Sequence, residues 1–191
     1  MDFGQSLLFD WFNNAKPEFE AFLTQHREKK VDFLQIGVYS GSASVWLLNN
    51  VLTHPDSRLF DVDPWQNLDG DNFYPPLGDI ESTYDQRTSS FSNVVKHKMF
   101  SDHFFRNNTE KFDFIYIDGD HHRDQVFRDS ENAIKVAKSG CIIAFDDYLW
   151  DMEPEPENKP KDAIDVFLSK YSDRIEILHS SYQVWVRVHD E

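Results

Sequence analysis

The residues best equipped for chemistry are gathered in one short stretch, Asp118-Gly119-Asp120-His121-His122. It follows Phe114-Ile115-Tyr116-Ile117, a continuous apolar run typical of a strand buried on both faces of a parallel sheet. Two carboxylates and two imidazoles at the carboxyl end of such a strand lie where open α/β sheets bind ligands. Carboxylates supply hard oxygen ligands for divalent cations, and an imidazole exchanges a proton near neutral pH. Taken alone, the stretch reads equally well as a strand followed by a polar turn. Two further strand ends carry acids. Cys141–Phe145 is wholly apolar and runs into Asp146-Asp147, and Ser57–Asp63 ends on Asp61-Val62-Asp63 before Pro64.

The elements that must position these groups can be read in turn. Asp32–Ile36 is a strand that enters Gly37-Val38-Tyr39-Ser40-Gly41-Ser42-Ala43-Ser44, and a helix with Val45, Leu48 and Leu52 on one face follows. Strand, glycine turn and helix make a nucleotide-binding unit: Gly37 and Gly41 let backbone approach a ligand, and the helix start presents free N–H groups. The competing reading is a plain turn with glycine for tight packing. About 25 residues on, an acid at a strand end can accept both hydroxyls of a ribose. Asp63 is chosen for that role because Pro64 ends the strand there, and Asp61 is expected to be a solvated or capping acid.

Elsewhere, residues 5–29 read as helical, with Pro17 able to start a second helix. Residues 65–85 read as a loop in which Trp65 could stack on adenine or substrate, as Trp150 could. Tyr84–Val94 reads as a weak helix, Val95–Phe100 as a short strand, and Ser101 as the cap of a helix through Asn107. Residues 122–138 form an amphipathic helix closed by Ser139-Gly140. A proline-rich segment, 152–161, precedes a helix marked by Ile164, Phe167, Leu168 and Tyr171. Arg174–Leu178 and Tyr182–Val188 then pair as an antiparallel hairpin. Trp46 and Trp185 are packing residues; His26, His54, His97, His103, His179 and His189 are ordinary surface residues, and His122 points to solvent or caps the next helix. The pattern is that of an α/β Rossmann-like three-layer sandwich, one domain over 1–191 with a helical appendage at 1–30 and a core at 32–188.

Composition narrows the function. With 19 Lys and Arg against 34 Asp and Glu, the formal charge is −15. Such a field repels nucleic-acid phosphates and anionic lipid, so neither is an expected partner, whereas an acidic pocket suits a divalent cation. One cysteine, Cys141, excludes an internal disulfide and a thiolate metal cage. The start lacks a signal-peptide pattern and no apolar run reaches the length of a membrane span, so a cytoplasmic location is the expectation. The oligomeric state stays open, a homodimer included.

The ordered set of Asp63-Pro64-Trp65, Ile117–His122 and Ile142–Asp147 (DPW, IDGDHH and IIAFDD), with the glycine turn and terminal hairpin, resembles the class I S-adenosylmethionine-dependent methyltransferases. Within that class it is similar to the methyltransferase-24 domain family, related to the catechol and caffeoyl-type O-methyltransferases. The resemblance spans residues 32–188 and implies a mostly parallel seven-stranded sheet ending in an antiparallel hairpin. It implies that Gly37, Tyr39, Gly41 and Ser42 face the methionine end of S-adenosylmethionine, Asp63 the ribose with Trp65 beside it, and Ser101 the adenine region. It places Asp118, Asp146 and Asp147 on the divalent-metal positions, Mg²⁺ being expected, His121 on the general-base position, and Asp120 on an alternative base position. It also puts Gln35 and Asp118 among the cofactor contacts, although Gln35 departs from the family's acid two residues before the first glycine, and Ala43 departs from its serine. The activity implied is metal-assisted methylation of a hydroxyl on a small molecule, phenol or sugar. The alternatives are a metal-independent methyltransferase, an NAD-type Rossmann protein, or a catalytically silent cofactor-binding module.

Overall fold

The computed structural model describes residues 10–66, 77–151 and 159–189. Helix α1 spans Phe12–Leu23, strand β1 Asp32–Ile36, helix α2 Ser42–Asn50, and strand β2 Arg58–Asp63. Helix α3 (Leu77–Thr88), strand β3 (Val94–Lys98), helix α4 (Ser101–Asn107) and strand β4 (Phe112–Ile117) follow. The chain then runs through α5 (Arg123–Val136), β5 (Ala137–Phe145), α6 (Pro160–Lys170), β6 (Ile175–Ser180) and β7 (Val184–Val188). The strands form one seven-stranded sheet in the order β3-β2-β1-β4-β5-β7-β6. β1 to β5 run parallel to one another, and β7 runs antiparallel to both β5 and β6. This is the expected Rossmann-like sandwich. No helix among the described residues is long and apolar enough to cross a membrane.

The central strands are apolar on both faces because helices cover both. Leu34, Ile115, Ile143 and Phe145 pack with Val126 and Ile134 of α5 and Ile164 and Phe167 of α6. Phe33, Phe114, Ala144 and Trp185 pack on the other face with α1 and α2. Phe19 anchors α1 there: its ring meets Phe114, Tyr116 and Trp185 edge-on at 5.0–5.7 Å between centroids. Trp185 is thus a packing residue, as expected, and burying a ring like Phe19 contributes roughly 1.5–3 kcal/mol.

Several expected boundaries move, each for a physical reason. Pro17 starts no second helix but lies inside α1. Pro17 and Asn13, whose carbonyl loses its partner, are both exposed, so water can take that bond. Residues 77–85 are helix rather than loop, and α3 ends at Thr88 instead of reaching Val94. Ile80, Tyr84 and Thr88, spaced by four, give it a buried face. Residues 67–76 and 152–158, read from sequence as parts of a loop and an irregular segment, lie outside the described residues. Ser139-Gly140 does not close α5. The helix ends at Val136, and Gly140 (φ +75°) lies where the β4–β5 register jumps between the pairs Phe112–Ala137 and Phe114–Ile142. The residues read as a cap are a bulge. His26 and His97 are not surface histidines: each has a buried Nε2 without a hydrogen-bond partner, and burial lowers both pKa values.

Asp61 is the largest departure. It is fully buried and accepts hydrogen bonds from Gln35 Nε2 at 2.7 Å and from the Tyr84 hydroxyl at 2.9 Å. Desolvation pushes its pKa up to about 6. A raised carboxyl favours the protonated fold, so its contribution to stability is full below the unfolded value near 4 and is lost as pH rises through about 6. Asp61→Asn should therefore flatten that stretch of the stability curve and gain up to about 3 kcal/mol at pH 7 relative to pH 4. Chemical denaturation at a series of pH values checks this; an unchanged slope in the variant refutes it.

Candidate functional site

The strand order reverses between β1 and β4, so the turns after them diverge and open a cavity of about 1010 Å³ above the carboxyl ends of the sheet. The glycine turn forms one wall. Gly37 (φ +82°) is held there by the protein itself, because an added Cβ would lie 1.9 Å from the Asp118 carbonyl oxygen. Gly41 (φ +78°) abuts the Tyr84 ring, 2.8 Å from where its Cβ would be, and does not line the cavity. Close packing thus accounts for both glycines, the reading set beside ligand approach in the sequence. Gln35 also lies off the cavity, donating from Nε2 to Ser44 Oγ at 2.9 Å as well as to Asp61. Ser42 lines it, its hydroxyl accepting from Arg87 Nη1 at 3.1 Å.

Asp63 faces the cavity from β2 and ties the turns together. It accepts from the backbone N–H groups of Val38 (2.9 Å), Tyr39 (3.0 Å) and Trp65 (2.6 Å). A carboxylate has about four acceptor positions, so about one remains for a ligand hydroxyl. Burial raises its pKa in spite of these bonds. Trp65 is buried, donates from Nε1 to the Tyr39 carbonyl at 2.9 Å, and packs on Tyr84. Ser101 lines the cavity at the start of α4 and accepts from Gln125 Nε2 at 3.1 Å, which also reaches Asp129 Oδ1 at 3.1 Å. Desolvation raises the Asp129 carboxyl to about 7.

The acidic end is built by the turns after β4 and β5. Asp118, His121 and Asp147 bring one ligand atom each within 4.8 Å of one another. His121 Nε2 lies 2.8 Å from Asp147 Oδ2, whose other oxygen accepts from the Tyr182 hydroxyl at 2.9 Å. Asp146 does not join this group. It takes the Tyr116 hydroxyl on one oxygen and the Asp147 N–H on the other, 2.9 Å away. Of the expected trio of Asp118, Asp146 and Asp147, the structure brings Asp118 and Asp147 together with His121 and turns Asp146 to Tyr116. Burial, then repulsion from Asp146 and Asp147, raises the Asp118 carboxyl well above its usual range. Asp146 is raised by burial and by Asp147. For His121 desolvation works downward, but the bond to Asp147 and the surrounding carboxylates outweigh it and hold the imidazole up. Crowded carboxyls that resist ionisation together are what a divalent cation would relieve, and the donor set fits one. Asp120 lines the cavity beside them and holds His122, whose Nδ1 is 2.6 Å from Asp120 Oδ1. His122 thus pairs with Asp120 and makes no side-chain cap to α5.

Three of the four described non-glycine residues with positive φ line this cavity: Tyr39 (+52°), Trp65 (+44°) and Asp147 (+57°). Such strain costs about 1–3 kcal/mol per residue and gathers at functional sites. Helix α1 supplies a wall through Trp11, Phe12, Asn14 and Glu18, and Trp150 packs on the His121 ring with centroids 4.8 Å apart. Sequence reasoning missed Tyr116, Tyr182, Gln125 and Asp129. A phenol among the apolar residues of β4 was the one visible signal.

A family model described as a methyltransferase domain, methyltransferase-24, matches residues 34–148, well over half of the chain. The chain therefore belongs to the methyltransferase-24 domain family of class I S-adenosylmethionine-dependent methyltransferases. No curated protein matches the sequence. Solved structures that share the fold include the O-methyltransferase TomG of Streptomyces achromogenes with S-adenosylmethionine bound (16% identity, 97% of this chain and 83% of that one, TM-score 0.65). The O-methyltransferase from Bacillus cereus, solved with S-adenosylhomocysteine, aligns at 16% identity over 97% of this chain and 84% of that one, TM-score 0.66. The N-methyltransferase NodS of Bradyrhizobium japonicum aligns at 14% identity over 99% and 94%, TM-score 0.60.

Proposed function

We propose that residues 1–191 act as a single methyltransferase domain that moves a methyl group from S-adenosylmethionine to a hydroxyl of a small acceptor, with a divalent cation bound. The observation that carries this is the convergence of Asp118, His121 and Asp147 beside the glycine turn in one cavity. Tyr39 and Ser42 would face the methionine end of the cofactor, with Gly37 shaping the turn beneath it. Asp63 accepts a ribose hydroxyl, and Ser101 with Gln125 and Asp129 meets the adenine end. Asp118, His121 and Asp147 hold the cation, which when bound lowers the pKa of an acceptor hydroxyl. One imidazole with two carboxylates suits Mn²⁺ better than the Mg²⁺ expected from an all-oxygen set.

Transfer is an in-line displacement, so the protein's work is positioning. The acceptor oxygen forms a bond to the methyl carbon as the carbon–sulfur bond breaks, leaving S-adenosylhomocysteine. With His121 committed to the cation, Asp120, supported by His122, receives the hydroxyl proton. Asp146 holds its place through Tyr116, which also accepts from Gln183 Nε2 at 3.2 Å.

A second reading, a metal-independent methyltransferase, draws on Asp146 and Asp147 each accepting a hydrogen bond from a tyrosine hydroxyl, of Tyr116 and Tyr182. Calorimetry and a chelation assay separate the two. S-adenosylmethionine should bind, and EDTA should lower methyl transfer at least about tenfold, with Mn²⁺ restoring it better than Mg²⁺. Activity indifferent to EDTA supports the second reading. Binding of NAD without S-adenosylmethionine defeats both.

A further inference from the structure

Resting on the O-methyltransferase reading above, we propose that the acceptor is cationic: it carries an ammonium group on the same small molecule as the reacting hydroxyl, and Glu18 receives that ammonium. The cavity's described lining residues include no lysine or arginine, while eight of them carry carboxyl groups. An acceptor bearing a carboxylate or phosphate would find no lysine or arginine to pair with among these residues and a surplus of carboxyls to repel it, so the lining selects against anions.

The carboxyls along the strand ends have other duties. Asp63 is tied to three backbone N–H groups, Asp146 to Tyr116, and Asp120 to His122. Asp118 and Asp147 belong with His121 to the proposed cation site. The cofactor's own positive charge sits over these same strand ends.

Glu18 is placed differently. It enters from helix α1, and its ionic partner among the described residues is the imidazole of His179, 3.6 Å away. Trp11 at the N-cap of α1, and Asn14, Ala15 and Glu18 within it, recur at helical spacing and all line the cavity, so this end and face of the helix present an indole and, two turns later, a carboxylate. Phe12 lines the cavity beside them. An aromatic face with a nearby carboxylate is the pairing that recognises an organic ammonium. The acidic lining, the lack of lysine and arginine, and the aromatic–carboxylate face of α1 agree on one class: a hydroxylated amine, either phenolic or an amino sugar.

Two matched triples test this: dopamine, catechol and 3,4-dihydroxybenzoate, and glucosamine, glucose and glucuronate. Each is assayed for S-adenosylhomocysteine release and for calorimetric binding to the enzyme with S-adenosylhomocysteine and Mn²⁺ present. In at least one triple the cationic member should exceed the anionic one at least tenfold, with the neutral one between. Glu18→Gln should cut the advantage of the cation over the neutral member at least fivefold, with S-adenosylmethionine affinity as the check that the variant is folded. An anionic member that binds as well as the amine overturns the proposal. So does a preference untouched by Glu18→Gln, or failure of both amines to bind. Failure to bind S-adenosylmethionine strikes the underlying function instead and is read separately.

Discussion

Asp118→Ala should lower methyl transfer by at least about 100-fold while leaving the fold intact. Asp118 follows the end of β4 and, among the described residues, is grouped with His121 and Asp147 in the proposed cation site, so its loss leaves two donors. Burial and two neighbouring carboxylates push its carboxyl well above the usual carboxylate range. The substitution therefore removes a buried ionisable group crowded by two others, and thermal stability without metal should be unchanged or higher. Turnover and Mn²⁺ binding, followed by electron paramagnetic resonance, should fall together. Loss of turnover with Mn²⁺ binding intact would instead make Asp118 a residue of the cofactor or acceptor contacts. Asp146→Ala offers the contrast: Asp146 is bonded to Tyr116 rather than grouped with the trio, so Mn²⁺ binding should survive it.

Gly37→Ala should destabilise the protein by about 3–5 kcal/mol and abolish cofactor binding with it. The added methyl would meet backbone, the Asp118 carbonyl at 1.9 Å and the Gly119 Cα at 2.7 Å, and neither can swing aside as a side chain would. Gly140 isolates the conformational share of that cost. It has φ of +75° and nothing within 4 Å of an added Cβ, so Gly140→Ala should cost only about 1–2 kcal/mol. Denaturant unfolding of the two variants side by side checks the difference. Equal losses would mean that backbone conformation, and not the contact with the turn after β4, demands glycine at position 37.

Much of this architecture was legible because its strands are buried on both faces. Phe114–Ile117 and Cys141–Phe145 announce themselves as apolar runs, and the acids that follow them mark the edge where a ligand sits. The terminal hairpin was legible from the few residues between its strands, too few for a crossover. What escaped were facts of orientation. Asp61 and Asp63 are two apart on one strand and so start from the same face of the sheet, yet Asp61 is buried against Gln35 while Asp63, the last residue of β2, reaches the cavity. The sequence names both acids without saying which is covered and which meets the open edge. Asp146 and Asp147 are adjacent and diverge likewise, and it took Tyr116 and Tyr182 to decide their partners. Helix α3 was obscured by the prolines and glycine around its start, since its buried face of Ile80, Tyr84 and Thr88 is only three residues deep.

The contact between Gly37 and the Asp118 carbonyl has a further meaning. It joins the turn proposed to lie beneath the cofactor to the turn that carries an acid of the proposed cation site, with no side chain between to absorb a shift. Any movement of one turn on binding is felt by the other, so the two ligands do not bind as strangers. Whatever factor the cation lends to cofactor affinity, the cofactor must return to the cation in full. Saturation with either one is thereby a condition on the measured strength of the other.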